Sequence, residues 1–236
     1  VAAISLPRFA EGALPGDAAF LSEWDSKQQL RAFGLNVPAG AVGCAADMPA
    51  LADQLGYPVV LKAVGAAFLH KSEMGAVVLN LHNAADVAAA VAKISAATAC
   101  HNTVVEQFLV EQMVDGAVAE LIVGIKRDQQ FGPALVIGAG GILVELIADS
   151  ASLLLPTDRE TVWGAVNGLA SAALLQGFRG KPAGDMDAVV DAVMAIAAYA
   201  EANWATLVEL DVNPLMVLPA GKGVVAADAL IASSPG

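Results

Sequence analysis

The chain is 236 residues long, 57% hydrophobic and 15% charged, with a formal net charge of −12. That balance excludes a nucleic-acid surface or an anionic membrane as partner, but not phosphate ligands, which need only a few placed cations and backbone amides. Two cysteines, Cys44 and Cys100, without a Cys-x-x-Cys, and three histidines without metal spacing exclude a disulfide scaffold and a zinc centre and fit a reducing cytoplasm.

Residues 1–20 are rich in proline and glycine (Pro7, Gly12, Pro15, Gly16) and read as a linker or arm. No signal peptide is visible, and Val1 in place of Met suggests a piece of something longer. Ser22 caps a helix that ends at Gly34, with Glu23 and Asp25 in the first turn, where the helix dipole favours negative charge. Val37-Pro38 leaves it in extended form. A second helix runs from Asp47 to Leu55 and stops at Gly56. Tyr57–Val64 is a β-rich run. The polar loop His70–Gly75 follows, then a strand over Ala76–Leu81 and an Ala-rich helix after Asn83. Val104–Val114 and Ala119–Lys126 read as strands, the second closed by a turn at Asp128. Phe131–Ile137 leads into Gly138-Ala139-Gly140-Gly141. Two helices follow near Asp158–Leu175 and Asp185–Asn203. Thr161–Phe178 carries no charge, but Asn167, Gln176 and its glycines make it a helix and turn in water rather than a membrane span. Strands do not alternate one for one with helices. The pattern therefore disfavours a doubly wound sheet and predicts an α+β fold of two lobes with mixed or antiparallel sheets.

The chain ends on its most informative stretch. Leu207–Pro214 alternates, with Val208, Leu210 and Val212 on one face and Glu209, Asp211 and Asn213 on the other. Pro219–Lys222 makes a hairpin loop before Val224–Asp228. If Leu218 and Gly223 close that loop, the constant antiparallel register carries Asn213 opposite Asp228, on one shared face. An amide oxygen and a carboxylate suit Mg²⁺, which takes one or two protein oxygens and completes its shell from phosphate and water. A solvent-facing acidic strand edge explains the same pattern.

Other residues have two readings as well. Lys62 sits inside an apolar strand, where an ammonium needs a partner: a phosphate, or a carboxylate such as Glu106 or Glu111. A strand-edge lysine reaching water is the alternative. Lys27, on the first helix, reads by itself as a solvated surface residue. Gly138–Gly141 is neither a Walker A motif nor a dinucleotide fingerprint, although Gly140 and Gly141 permit backbone amides to approach an anion. His70 stands in a polar loop beside Lys71, Ser72 and Glu73; His82 and His101 look like surface residues. Glu111, Gln112, Met113 and Val114 lie between the expected lobes and could offer backbone groups to a purine. Glu120 opens the next strand on the face of Ile122; a surface salt bridge would explain it equally well.

Taken together, these residues resemble a known family. Ser22-Glu23…Lys27, Gly56–Ala63, His70–Gly75, Glu111–Val114, Glu120–Gly124, Phe131-Gly132-Pro133, Gly138–Gly141 with Val144-Glu145-Leu146, Leu174–Gly180 and Glu209–Leu215 resemble the ATP-grasp part of NDP-forming acyl-CoA synthetases. That part is the β subunit of ADP-forming acetyl-CoA synthetase, a relative of the succinyl-CoA synthetase β subunit. The likeness runs from Leu21 to Ile231.

The resemblance implies an ATP-grasp fold whose lobes clasp nucleotide, with 21–37 and 114–236 as core lobe and 38–113 as an inserted lid lobe. It implies an acid–thiol ligase: carboxylic acid, CoA and ATP give acyl-CoA, ADP and phosphate through phosphohistidine. His70 matches the phosphohistidine of this part, and Asp211 an acid near the relay. Lys27 and Lys62 match phosphate-holding lysines; Glu111, Gln112, Met113 and Val114 the adenine hinge; Glu120 a ribose-binding acid. Gly140 and Gly141 match nucleotide-binding glycines, and Asn213 and Asp228 the Mg²⁺ ligands. Arg179 and Glu209 receive no role. A CoA-binding α domain or subunit, which binds acid and CoA, is the implied partner, in a cytoplasmic oligomer. Two other readings remain: a regulatory module attached to a lysine acetyltransferase, and a succinyl-CoA synthetase β subunit, whose Gly-rich basic loop differs from His70–Glu73.

Overall fold

A computed structural model describes residues 18–65, 68, 74–128, 132–140, 149–178, 180 and 182–234. In chain order they begin with β1 (Ala19–Phe20), α1 (Glu23–Ala32), β2 (Gly40–Gly43), α2 (Met48–Leu55), β3 (Val59–Val64) and β4 (Val77–Leu81). Next come α3 (Ala84–Ala99), β5 (Gln107–Gln112), β6 (Ala119–Asp128), β7 (Gly132–Ala139) and β8 (Ser150–Leu154). The chain closes with α4 (Arg159–Asn167), α5 (Ala172–Leu175), α6 (Met186–Ala202), β9 (Leu207–Val217), β10 (Val224–Ala226) and β11 (Ala229–Ser233). Two compact units result. The small unit is Ser22–Asp25 with Pro38–Asp115; the large unit takes in the chain up to Leu21, Ser26–Val37 and Gly116 onward.

In the small unit, four strands pair antiparallel in the order β2-β5-β3-β4. Two capped helices cover one face. Asn83 starts α3 by accepting from the Asp86 amide at 2.9 Å. Gly56 ends α2 with a left-handed φ of 82°, a conformation cheap only for glycine. Met48 and Ala52 of α2 and Val87, Ala90 and Ile94 of α3 pack on Val59, Leu61, Ala63, Phe108 and Val110. The alternate positions, Val60, Lys62, Leu109 and Glu111, therefore occupy the other face.

The large unit is built on an antiparallel sheet of seven described strands, ordered β1-β11-β9-β6-β7-β8 with β10 also on β9. Its core joins Leu30 of α1, Val162 and Val166 of α4, Leu175 of α5 and Val193 and Ile196 of α6 to Leu121, Val123, Ile125, Leu210 and Val212 of the sheet. Asp158 caps α4 by accepting from the Thr161 amide at 2.8 Å. Asp185 caps α6 from Ala188 and also accepts from the Gly223 amide, tying the helix start to the β9–β10 loop.

Three expectations change. Of the stretch read as a linker or arm, residues 1–17 lie outside the described residues, and Ala19 and Phe20 at its end pair with β11. Strands β2 and β8 had no sequence signal strong enough to mark them. The helix expected over Asp158–Leu175 is broken, because the Asp149 carboxylate accepts from the amides of Ala170 and Ser171 at 2.6 and 2.8 Å and takes those donors out of the helical ladder. Desolvation raises the pKa of this carboxyl, but bonds from Ser171 and Ala170 outweigh it and hold the group below its ordinary value. No helix among the described residues is long and apolar enough to cross a membrane.

Candidate functional site

The small unit places a lysine between two carboxylates. Lys62 on β3 and Glu111 on β5 are diagonal neighbours on the face opposite the helices. The Lys62 Nζ lies 2.5 Å from Glu23 Oε1 and 3.1 Å from Glu111 Oε2. All three residues are buried. Since β3 is an interior strand, the strand-edge reading of Lys62 is excluded, and of the two carboxylates the sequence offered, Glu111 is its partner while Glu106 is exposed. Glu23 was missed. A first-turn acid is explained locally by the helix dipole, so nothing in the sequence marked it as a partner of Lys62. Gly40 faces Glu111 across β2 and β5, and a Cβ there would stand 2.7 Å from Glu111 Cγ.

The segment ending β5 and following it is already bonded. The Gln112 amide donates to Ala39 O at 2.9 Å and the Met113 amide to Pro58 O at 3.0 Å, while Gln112 Nε2 reaches Leu55 O at 2.8 Å. Met113 and Val114 are half-buried. What this segment can offer a ligand is thus carbonyl oxygen and apolar surface, not those two donors.

In the large unit, β9 lies between β11 and β6, so its polar residues are not a strand edge. Leu218 N donates to Gly223 O at 3.1 Å and closes the loop. The register runs unbroken from Leu215↔Ala226 to Val212↔Ala229, and the Asn213 amide donates to Asp228 O at 3.2 Å. On the β6 side, Asn213 and Pro214 together oppose Ile122, a β-bulge of the kind that re-aims side chains. Asn213 is exposed and Asp228 half-buried.

Asp211 follows on the same strand. Its Oδ1 is buried with no hydrogen-bond partner among the described residues. Burial first, then the charges of Glu209 and Asp228, push its pKa up to about 7. A carboxyl so placed can hold or release a proton near neutrality, a property common at functional sites.

Lys27 corrects the surface reading. It is fully buried, and its Nζ donates to Ala227 O at 2.9 Å, beside Asp228. A long cationic side chain buried with its head on a backbone carbonyl is a placed charge, not a solvated one. The structure thus gathers Lys27, Asp228 and Asn213 in the large unit.

Glu120 is exposed at the start of β6, and Gly140 packs against its backbone. The Gly140 amide donates to Glu120 O at 2.7 Å, so it is spent on the sheet rather than turned to an anion. A Cβ at position 140 would lie 2.9 Å from the carbonyl carbon, oxygen and Cβ of Glu120. Gly140→Ala is expected to destabilise the chain by about 1–3 kcal/mol through this overpacking. A urea unfolding midpoint equal to that of the parent chain would contradict the close approach.

His70, Gly141 and Arg179 lie outside the described residues, as does the loop 71–73. Among the described residues no three His, Cys, Asp or Glu gather into a metal cage. A cation that takes one or two protein oxygens needs none. The donor chemistry of Asn213 and Asp228, with the unpartnered Asp211 oxygen on the same strand, fits Mg²⁺.

The chain as a whole is similar to known proteins. The family model for an ATP-grasp domain matches residues 12–232. The chain is 30% identical over 212 residues to the acetate–CoA ligase [ADP-forming] II subunit beta of Pyrococcus furiosus, covering 89% of both chains. It is 35% identical to trans-feruloyl-CoA synthase FCS1 of an unknown prokaryotic organism, over 89% of this chain but only 30% of that protein's length. Among solved structures, the dinucleotide forming acetyl-coenzyme A synthetase 1 of Ca. Korarchaeum cryptofilum, in complex with coenzyme A, Ca-AMPCP and HgCl+, superimposes with a TM-score of 0.85 at 30% identity, over 90% of this chain and 92% of that one. The chain belongs to the ATP-grasp family, in the branch formed by the β subunits and β-like domains of ADP-forming acyl-CoA ligases.

Proposed function

We propose that this chain is the nucleotide-binding, phosphoryl-transferring part of an ADP-forming acyl-CoA synthetase. The observation that carries the reading is the end-to-end match to the Pyrococcus furiosus β subunit, over 89% of both chains. Phosphoryl transfer is mainly positioning and charge neutralisation, and the residues supply those parts. Lys27 and Lys62 neutralise the phosphates of ATP. Glu111, Gln112, Met113 and Val114 border the adenine, through carbonyls and apolar contact. Glu120 accepts from the ribose hydroxyls, beside Gly140. Asn213 and Asp228 hold Mg²⁺, which when bound spreads the charge of the phosphates. The imidazole of His70 attacks the γ-phosphorus: an N–P bond forms, the bond to the bridging oxygen breaks, and ADP leaves. Asp211 takes or returns the proton of that imidazole, as its pKa near neutrality allows.

A CoA-binding domain or subunit that binds the acid and CoA would complete the ligation, in an oligomer of the cytoplasm, where the exposed thiols of Cys44 and Cys100 stay reduced. Incubation with γ-labelled ATP and Mg²⁺ is expected to give an acid-labile label on the chain, and His70→Asn to abolish it while ATP still binds. Absence of label in the parent chain, with ATP bound and the CoA-binding partner present, would overturn the reading.

A further inference from the structure

We propose that Asn36 positions the metal ligand Asp228, and so sets the preference of the site for Mg²⁺ over a larger cation such as Ca²⁺. The inference rests on the reading of Asn213 and Asp228 as the ligands. Ala227 and Asp228 belong to no strand; they are the two residues between β10 and β11. Towards β9 they are held at the bulge, where the Ala227 amide donates to Pro214 O at 3.0 Å and the Asn213 amide to Asp228 O at 3.2 Å. Among the described strands, β10 pairs with β9 alone. Its other edge is not left to water, since Val224, Val225 and Ala226 are all buried. Buried backbone groups need partners, and Asn36 supplies two. Its carbonyl accepts from the Ala226 amide at 2.9 Å, and its Nδ2 donates to Val224 O at 3.0 Å. One residue does at this edge what a neighbouring strand would do.

Asn36 can hold that edge because it is itself fixed. Leu35 and Val37 on either side of it are buried in the core of the large unit. The Leu35 amide also donates to Leu30 O at 3.2 Å, near the end of α1. From the same helix Lys27 reaches Ala227 O. The segment that ends in Asp228 is therefore gripped on both edges, and the Asn36 contact to Ala226 comes two residues before the carboxylate. Mg²⁺ demands near-ideal octahedral geometry at about 2.0–2.1 Å, whereas Ca²⁺ accepts about 2.3–2.6 Å in flexible arrangements. A carboxylate allowed to drift loses the first ion before the second.

The Asn36 side chain is exposed, so shortening it leaves the core intact while depriving Val224 O of this donor. Asn36→Ala is expected to weaken ATP binding about fivefold with Mg²⁺, and to leave it within about twofold with Ca²⁺ or with a chelator, by calorimetry on the full chain. A general loss of stability would act on all three conditions alike. Asn83→Ala, which removes a helix cap from the small unit, is expected to lower the urea midpoint without moving the Mg²⁺ to Ca²⁺ ratio. The proposal is overturned if N36A leaves that ratio unchanged, or if N83A moves it as far. Failure of the underlying reading looks different. D228N and N213A are expected to abolish the gain in ATP affinity that Mg²⁺ gives over the chelator. If both keep that gain, Asn213 and Asp228 are not the metal ligands, whatever N36A does.

Discussion

Replacing Lys62 by methionine is expected to lower the folding stability by about 3–5 kcal/mol, the usual cost of breaking a buried ion pair by removing one partner. Glu23 and Glu111 would then share a dry site without the ammonium now 2.5 and 3.1 Å from them. Neither can turn to water without leaving its element, since both are almost fully buried. The combination E23Q/K62M/E111Q is expected to recover most of the loss, because uncharged groups of similar shape carry no comparable desolvation penalty. Urea midpoints with unchanged slopes would measure both. A loss below about 1 kcal/mol for Lys62→Met would mean that the pair behaves as a solvated surface bridge.

The second large effect has the opposite sign. Asp211→Asn is expected to stabilise the chain by about 2 kcal/mol near pH 8, with no nucleotide and a chelator present. The native carboxyl has its pKa pushed up to about 7, by burial first and then by Glu209 and Asp228. In the unfolded chain an aspartate titrates near 3.9. The native state thus binds the proton more tightly, and ionising it opposes folding. Stability falls as pH rises from about 4 to about 7 and stays lowered above. Asparagine removes that penalty, which is smaller than the full shift would give because the side chain retains some exposure. Below about pH 4 the two chains should be equally stable. An Asp211→Asn chain no more stable than the parent at pH 8, or a difference that does not shrink towards pH 4, would contradict the shift. On the proposed reading of Asp211 as the acid beside the relay, the same substitution is expected to impair phosphoryl transfer.

Local signals were legible in the sequence. Ser22, Asn83, Asp158 and Asp185 mark helix starts because a cap acts over three residues. The hairpin register was legible for the same reason, since one short loop fixes every pair beyond it. Long-range events were not. Strand β1 is two residues whose only cause is the edge of β11. The break between α4 and α5 is made by Asp149, 21 and 22 residues upstream of the two amides it binds. Lys27 looked like a surface lysine because the carbonyl that receives it comes from Ala227, near the other end of the chain. The partnership of Glu23 with Lys62 joins two elements whose local explanations were each complete without the other. A polar residue already accounted for by a cap or a dipole therefore hides any distant role it has.

The bulge at Asn213 and Pro214 gives β9 two phases. From Glu209 to Val212 the even positions Leu210 and Val212 are buried; beyond it the odd positions Leu215 and Val217 are. The same backbone thus serves the hydrophobic interior at both ends and lifts Asn213 into solvent at the changeover. Spacing here is as much a part of the design as residue type. Loss or gain of a single residue between Val212 and Leu215 would leave Asn213 in the chain, yet exchange inward for outward positions along the rest of the strand. Extra residues between Leu218 and Gly223 would only lengthen a loop. Insertions and deletions in natural or engineered versions of this chain should therefore be found at the second place and be absent from the first.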